Sequence, residues 1–125
     1  MRALLFSVLI LSAVTAGTAN AASLATCQGK EKNPDGIRLC VEAERSRSAN
    51  RLRELDPIIL DAIRKETDRK RQRALLREYR AAQAHHVRER KAACHQQAEG
   101  NDRTACEADM NFAHIEQLTR FQQSI

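Results

Sequence analysis

CHQQAEGNDRTAC, residues 94–106, decides the fold. Two cysteines bracket a polar stretch with Gly100 at its centre. Glycine fits the end of a helix and Asp102 can cap the start of the next. The segment therefore predicts a tight joint between two antiparallel helices. Cys94 falls near the end of the first and Cys106 early in the second, so the two meet across the hairpin as a disulfide.

Upstream of this joint, no Gly or Pro occurs between Asp56-Pro57 and Gly100. Asp suits an N-cap and Pro the first helical position, so a helix is expected to begin there. Ile59 and Ile63 open its apolar face; Leu76, Tyr79, Gln83, His86 or Val87, Arg90 and Cys94 continue it. RKETDRKRQR, residues 64–73, is wholly polar, and either a helix or a loop accommodates it. Farther upstream, Asn33-Pro34-Asp35-Gly36 is a turn signal. Cys27 folds back on Cys40 through that turn, the second predicted disulfide. Downstream, a helix is expected from about Arg103 to Phe121, with Cys106, Met110, Ala113, Leu118 and Phe121 as its apolar positions. No segment alternates as a strand does. The expectation is an all-α domain, a small antiparallel hairpin or three-helix bundle stapled by two disulfides.

The N-terminus bears on the compartment. Met1-Arg2 precedes the uncharged apolar run Ala3–Ala16, and Ala19 and Ala21 occupy the −3 and −1 positions of a small-residue cleavage site. The run is shorter than the roughly 20 residues that span a bilayer. Residues 1–21 thus read as a removable signal peptide and 22–125 as a single domain. Thr26 stands where a lipobox has a smaller residue, which argues against a lipid-modified Cys27. Periplasmic or secreted export follows, and an oxidising compartment permits disulfides. The cysteine spacings, without any CxxC pair, argue against zinc.

The core stock is lean: no Trp, one Tyr and, past the leader, Phe112 and Phe121. Such a chain relies on its staples. Its charge is uneven. Residues 64–91 carry 11 basic and 4 acidic residues, whereas the remainder of the exported part is mildly acidic.

No chemistry-bearing motif stands out. His85 and His86 are adjacent and point about 100° apart, which is wrong for two ligands of one metal. An even cysteine count in an exported chain favours pairing over thiol catalysis. No phosphate loop or nucleophile elbow occurs. The expectation is a binding protein without catalysis, metal or cofactor.

Gln83, His86, Arg90 and Cys94 recur at offsets 0, 3, 7 and 11, one side of a helix. With Val87 before Arg90, then Cys106, Asn111, His114 and Leu118, this pattern resembles the lysozyme-inhibitor LprI-like group of exported helical domains. The family carries Trp where this chain has His86, Arg where it has His114, and Thr where it has Asn111. The resemblance runs from Cys27 to about Phe121 and implies a lysozyme-like enzyme as partner. As most lysozymes of animals are basic, the contact would use the acidic residues Glu99, Asp102, Glu107 and Asp109 around the hairpin. The residues themselves offer a plainer account, in which Gln83 and Arg90 satisfy buried polar contacts and His86 serves as an aromatic plug.

The charge suggests a different partner. A basic helix over 64–91, with Arg69, Lys70, Arg71 and Arg73 at its start, suits an anionic envelope surface: lipid, lipopolysaccharide or an acidic protein. Nucleic acid fits poorly, given export and the scarcity of aromatic stacking residues.

Overall fold

The computed structural model describes residues 21–125, so the expected signal peptide lies outside it apart from Ala21. Four helices make up this part: α1 (Ala21–Lys30), α2 (Pro34–Arg64), α3 (Arg69–His95) and α4 (Asn101–Ser124). No strand occurs among the described residues. The all-α expectation holds, with four helices among the described residues where a hairpin or three-helix bundle is expected.

The NPDG segment is both turn and helix start. Asn33 Oδ1 accepts from the Gly36 N–H at 2.7 Å, Pro34 takes the first turn and Asp35 faces the positive end of the helix dipole. From there α2 runs 31 residues, about 46 Å at the usual helical rise.

It runs straight through Pro57, where a helix start was expected. Proline withdraws one N–H from the ladder, yet Pro57 faces solvent and water can take the freed carbonyl. Leu55, Ile59 and Ile63 straddle it on the buried side and hold the helix in one piece. Asp56 caps nothing; its carboxylate accepts the Tyr79 hydroxyl instead.

The break falls at 65–68, inside the polar stretch. Asp68 Oδ1 accepts from the N–H groups of Lys70 (2.8 Å) and Arg71 (3.2 Å) and so starts α3. The Gln72 side-chain amide donates to the carbonyls of Ile63, Arg64 and Glu66, closing the end of α2.

The hairpin at 94–106 forms as read, though its caps differ. α3 ends at His95, and Arg103 reaches back to donate to the carbonyls of Cys94, His95 and Gln97. Gly100 precedes α4 rather than ending α3, with φ +90°, a conformation glycine adopts without strain. Asp102 lies in the first turn of α4 and is exposed. Both disulfides form as predicted, Cys27–Cys40 with Cα atoms 5.6 Å apart and Cys94–Cys106 with 5.5 Å.

The interior is layered. At the end near the 65–68 loop, Leu55, Ile59, Ile63, Leu75, Tyr79 and Leu118 form the larger apolar cluster. At the opposite end Cys27, Val41 and Ala105 form a smaller one beneath α1. Between these clusters lies a section built from polar side chains.

Candidate functional site

That polar section gathers one stretch from each long helix. α2 supplies Ser48, midway between Val41 and Leu55. α3 supplies Gln83, His86 and Arg90, between Tyr79 and Cys94. α4 supplies Asn111 and His114, between Ala105 and Leu118. In each case the helical period that places the apolar neighbours inside also places the polar residue inside.

The hydrogen bonds form two relays. In the first, His86 Nε2 and Arg90 Nη1 both lie 3.0 Å from Asn111 Oδ1. Asn111 Nδ2 donates to Ser48 Oγ at 3.1 Å, and Ser48 donates to the Arg45 carbonyl at 2.8 Å. The amide orientation makes Oδ1 the acceptor, so His86 carries its proton on Nε2. In the second, His114 Nε2 lies 2.6 Å from Gln83 Oε1. Gln83 Nε2 donates to the Tyr79 hydroxyl at 3.0 Å, and that hydroxyl donates to Asp56. Burial, reinforced by the Asp56 carboxylate, raises the Tyr79 phenol well above its ordinary range.

The rings of His86 and His114 join the relays, stacked with centroids 4.1 Å apart and planes 10° from parallel. Burial first, then the adjacent His114, Arg90 and His85, together push His86 down to about 4 against the raising effect of the Asn111 hydrogen bond. His114 is also lowered, chiefly by burial. Both rings are therefore neutral at pH 7. On acidification the unfolded chain protonates its histidines near the ordinary value of about 6.5, whereas folded His86 stays neutral until about 4. The stabilisation is present above pH 6.5 and lost as pH falls toward 4. Between pH 7 and 5, mostly above the carboxylate range, we expect a loss of about 1 kcal/mol from His86, after allowing for its partial exposure. Urea unfolding across that interval measures it; an unchanged midpoint would contradict the buried neutral pair.

The motif residues thus converge, with one exception. Val87 is 53 % exposed and contributes nothing to the interior, because the buried face passes through His86 and Arg90 instead. Leu118 lies in the apolar cluster beside the relay. Ser48 joins the relay without any place in the motif, and Asp56, expected as a helix cap, joins through the Tyr79 hydroxyl instead. Ser48 carries a usable signal, since it sits seven residues from both Val41 and Leu55, where a core residue belongs.

A groove opens above the first relay, between α2 and α3. Its volume is about 440 Å³; Arg45 and Arg53 of α2 and Arg90 and Lys91 of α3 rim it, over Asn111 and Cys94. Glu107 also lines it and pairs with Arg45 at 3.6 Å. Arg53, Arg90 and Lys91 have no carboxylate partner among the described residues.

The groove continues onto the exposed side of α3. Arg69, Arg73, Arg77, Arg80, Arg88 and Lys91 follow one another at intervals of three, four or eight residues, a stripe along one flank of the helix. All six are exposed, and none forms a salt bridge among the described residues. α3 holds nine basic and two acidic residues, and those two, Glu78 and Glu89, lie off the stripe. α2 carries six of each sign, so the positive charge of the bundle concentrates on α3. Of the cations expected at the start of this helix, Lys70 is also exposed, whereas Arg71 is tied to Glu66 at 3.0 Å and to the Ser124 carbonyl.

The acidic residues around the hairpin do not form a matching surface. Asp109 is buried, because it holds the start of α1. Glu107 is engaged by Arg45 and Glu99 by Arg103, leaving Asp102 exposed and without an ion pair among the described residues. Among the described residues, no three His, Cys, Asp or Glu side chains converge as metal ligands. No described helix is long and apolar enough to cross a membrane. The two disulfides are consistent with an oxidising, extracytoplasmic compartment. The chain matches no protein-family model, no curated protein and no solved structure.

Proposed function

We propose that this chain is an exported, periplasmic or secreted binding protein, processed near Ala21, that docks on anionic surfaces of the cell envelope through α3 and works without catalysis. The observation that carries this reading is the one-sided stripe of six exposed cations lacking carboxylate partners. A charge run on a solvated helix ordinarily interleaves acids within reach of its bases, as α2 does with Arg38–Glu42 and Arg51–Glu54. On α3 the stripe is left clear, and the α2–α3 groove adds Arg53 and Arg90 at its edge. Phosphate-bearing lipid or lipopolysaccharide supplies the complementary charge in repeated array.

Inhibition of a lysozyme-like enzyme, the activity that the LprI-like resemblance implies, draws less support. It would rest on Asp102 and on Glu99 and Glu107, which already have cationic partners.

The test is sedimentation of the protein with vesicles. Phosphatidylglycerol-containing vesicles should retain it and phosphatidylcholine vesicles should not. Retention should fall at least about tenfold between 50 and 300 mM salt, as the Debye length shortens. Equal retention on neutral vesicles, or indifference to salt, would rule the reading out.

A further inference from the structure

Asp109 is only 8 % exposed, yet it is incompletely satisfied. Its Oδ1 accepts from the Ser23 N–H at 3.0 Å and from the Ser23 hydroxyl. Its Oδ2 is buried and has no hydrogen-bond partner among the described residues. No salt bridge reaches it from any described cation: of the two that line the same cavity, Arg47 pairs with Glu44, and Lys30, at the far end of α1, forms no ion pair with it. An interior carboxylate oxygen left unpaired is costly, and an ammonium group is the partner that would compensate it best.

The location indicates where such a group comes from. Ser23 lies in the first turn of α1, and Ala22 is the residue before it. Ala22, Ser23 and Asp109 line one cavity of about 590 Å³ with Glu44 and Glu116. In an uncleaved chain the Ala22 nitrogen is a neutral amide. Hydrolysis of the Ala21–Ala22 peptide bond by a signal peptidase consumes one water and releases the leader with a carboxylate on Ala21. The Ala22 nitrogen becomes an ammonium with three freely rotating N–H donors, one peptide unit from a nitrogen already bonded to Asp109.

We infer that Asp109 is the receptor for the amino terminus created by processing, and that the Ala22 ammonium pairs with its buried Oδ2 to lock α1 onto α4. The inference rests on the signal-peptide reading. It adds a consequence: the unprocessed chain lacks this lock, so the N-terminal end of the bundle completes only after the leader is removed.

The test uses residues 22–125 released from a fusion with Ala22 as the first residue, so that it does not depend on export. The α-amino group is acylated over a range of pH, in the folded protein and in urea, and the N-terminal peptide is quantified by mass spectrometry. Pairing should move the midpoint of the folded profile upward, so that acylation at neutral pH is at least about tenfold slower than in the unfolded chain. Acetylating Ala22 should lower Tm by about 5 °C, and in Asp109→Asn the acetyl group should make no difference. Coincident folded and unfolded midpoints would overturn the inference, and so would slower acylation with an unshifted midpoint, which is burial alone. Should Asp109→Asn fail to fold, the pH profile of the unaltered chain decides by itself. Intact mass of the exported protein is the separate check on processing: a terminus other than Ala22 sinks the signal reading without touching the result on the released chain.

Discussion

With both disulfides removed, by reductant or by Cys→Ser at positions 27, 40, 94 and 106, the protein should be largely unfolded at 37 °C. Each bond closes a loop of 12 or 13 residues. On the chain-entropy account such a loop contributes about 3 kcal/mol, so the pair contributes about 6. A domain of this size has a total stability of about 5–15 kcal/mol, and this one has little apolar material to place it high in that range. Its largest fully buried side chains are Ile59, Leu118, Val41 and Asn111, one of them polar.

The two bonds should fail differently. α1 has 10 residues, too few to persist as a helix alone, and Cys27 is its main buried apolar anchor alongside Leu24. Losing Cys27–Cys40 should release α1 while the larger cluster survives. α3 buries only Leu75, Tyr79 and Cys94. Beyond Tyr79, its second half is held by the polar relays and by Cys94, so losing Cys94–Cys106 should loosen that half and the groove with it. Each single loss should lower Tm by about 12–20 °C. Circular dichroism melts of the two double-serine variants check this; midpoints within 3 °C of the intact protein would mean that the staples are ornamental.

The sequence exposes the staples because cysteine pairing across turns is local information. NPDG and AEGND each bring two cysteines together within a dozen residues, and no distant part of the chain needs to be known. Pro57 misled for the converse reason. Its local preference for a helix start is real, but Leu55, Ile59 and Ile63 on the other side of the same helix bury against α3 and α4, which outweighs one missing backbone bond. The actual break at 65–68 depends on Gln72 folding back on three carbonyls, a contact that only the folded chain displays.

The candidate site divides in the same way. That Gln83, His86 and Arg90 share a face with Cys94 follows from spacing within one helix. That they meet Asn111 and His114 follows once the hairpin is closed. Ser48 joins from α2, 63 residues before Asn111, and no local pattern announces that pairing. Asp109 is expected on the contact surface that the resemblance implies; its burial comes instead with Ser23 at the start of α1, a contact between residues 86 apart in the chain. The stripe on α3 was visible as a charge excess over residues 64–91. Its one-sidedness becomes plain only when the helix is given its true start at Arg69 and its buried face is fixed by Leu75 and Tyr79.

That one-sidedness is open to a direct test. Arg73, Arg77, Arg80 and Arg88 changed together to Glu should abolish retention on phosphatidylglycerol vesicles, with a loss of at least about 10³-fold. Each basic residue near an anionic bilayer contributes about 1 kcal/mol, and reversal substitutes repulsion for that attraction. The fold should tolerate the change. All four side chains are exposed, none sits in a salt bridge among the described residues, and Glu is about as good a helix former as Arg. Net charge alone must be controlled for. Reversing Arg38, Arg51, Arg64 and Arg120, which are exposed but off the stripe, alters the total charge equally; because Arg38, Arg51 and Arg120 pair with Glu42, Glu54 and Glu116, the fold of this control is verified by circular dichroism before binding is compared. That control should cost less than about tenfold, because at physiological salt the attraction fades within about 8 Å and those residues do not share the α3 face. If the control weakens binding as much as the stripe variant does, the protein adheres by its overall charge and α3 has no special part. If the stripe variant still binds while remaining folded, docking on anionic surfaces through this helix is wrong. In that case the expected ligand is a single anionic group, rather than a surface, in the groove over Asn111, where Arg53 and Arg90 persist in both variants.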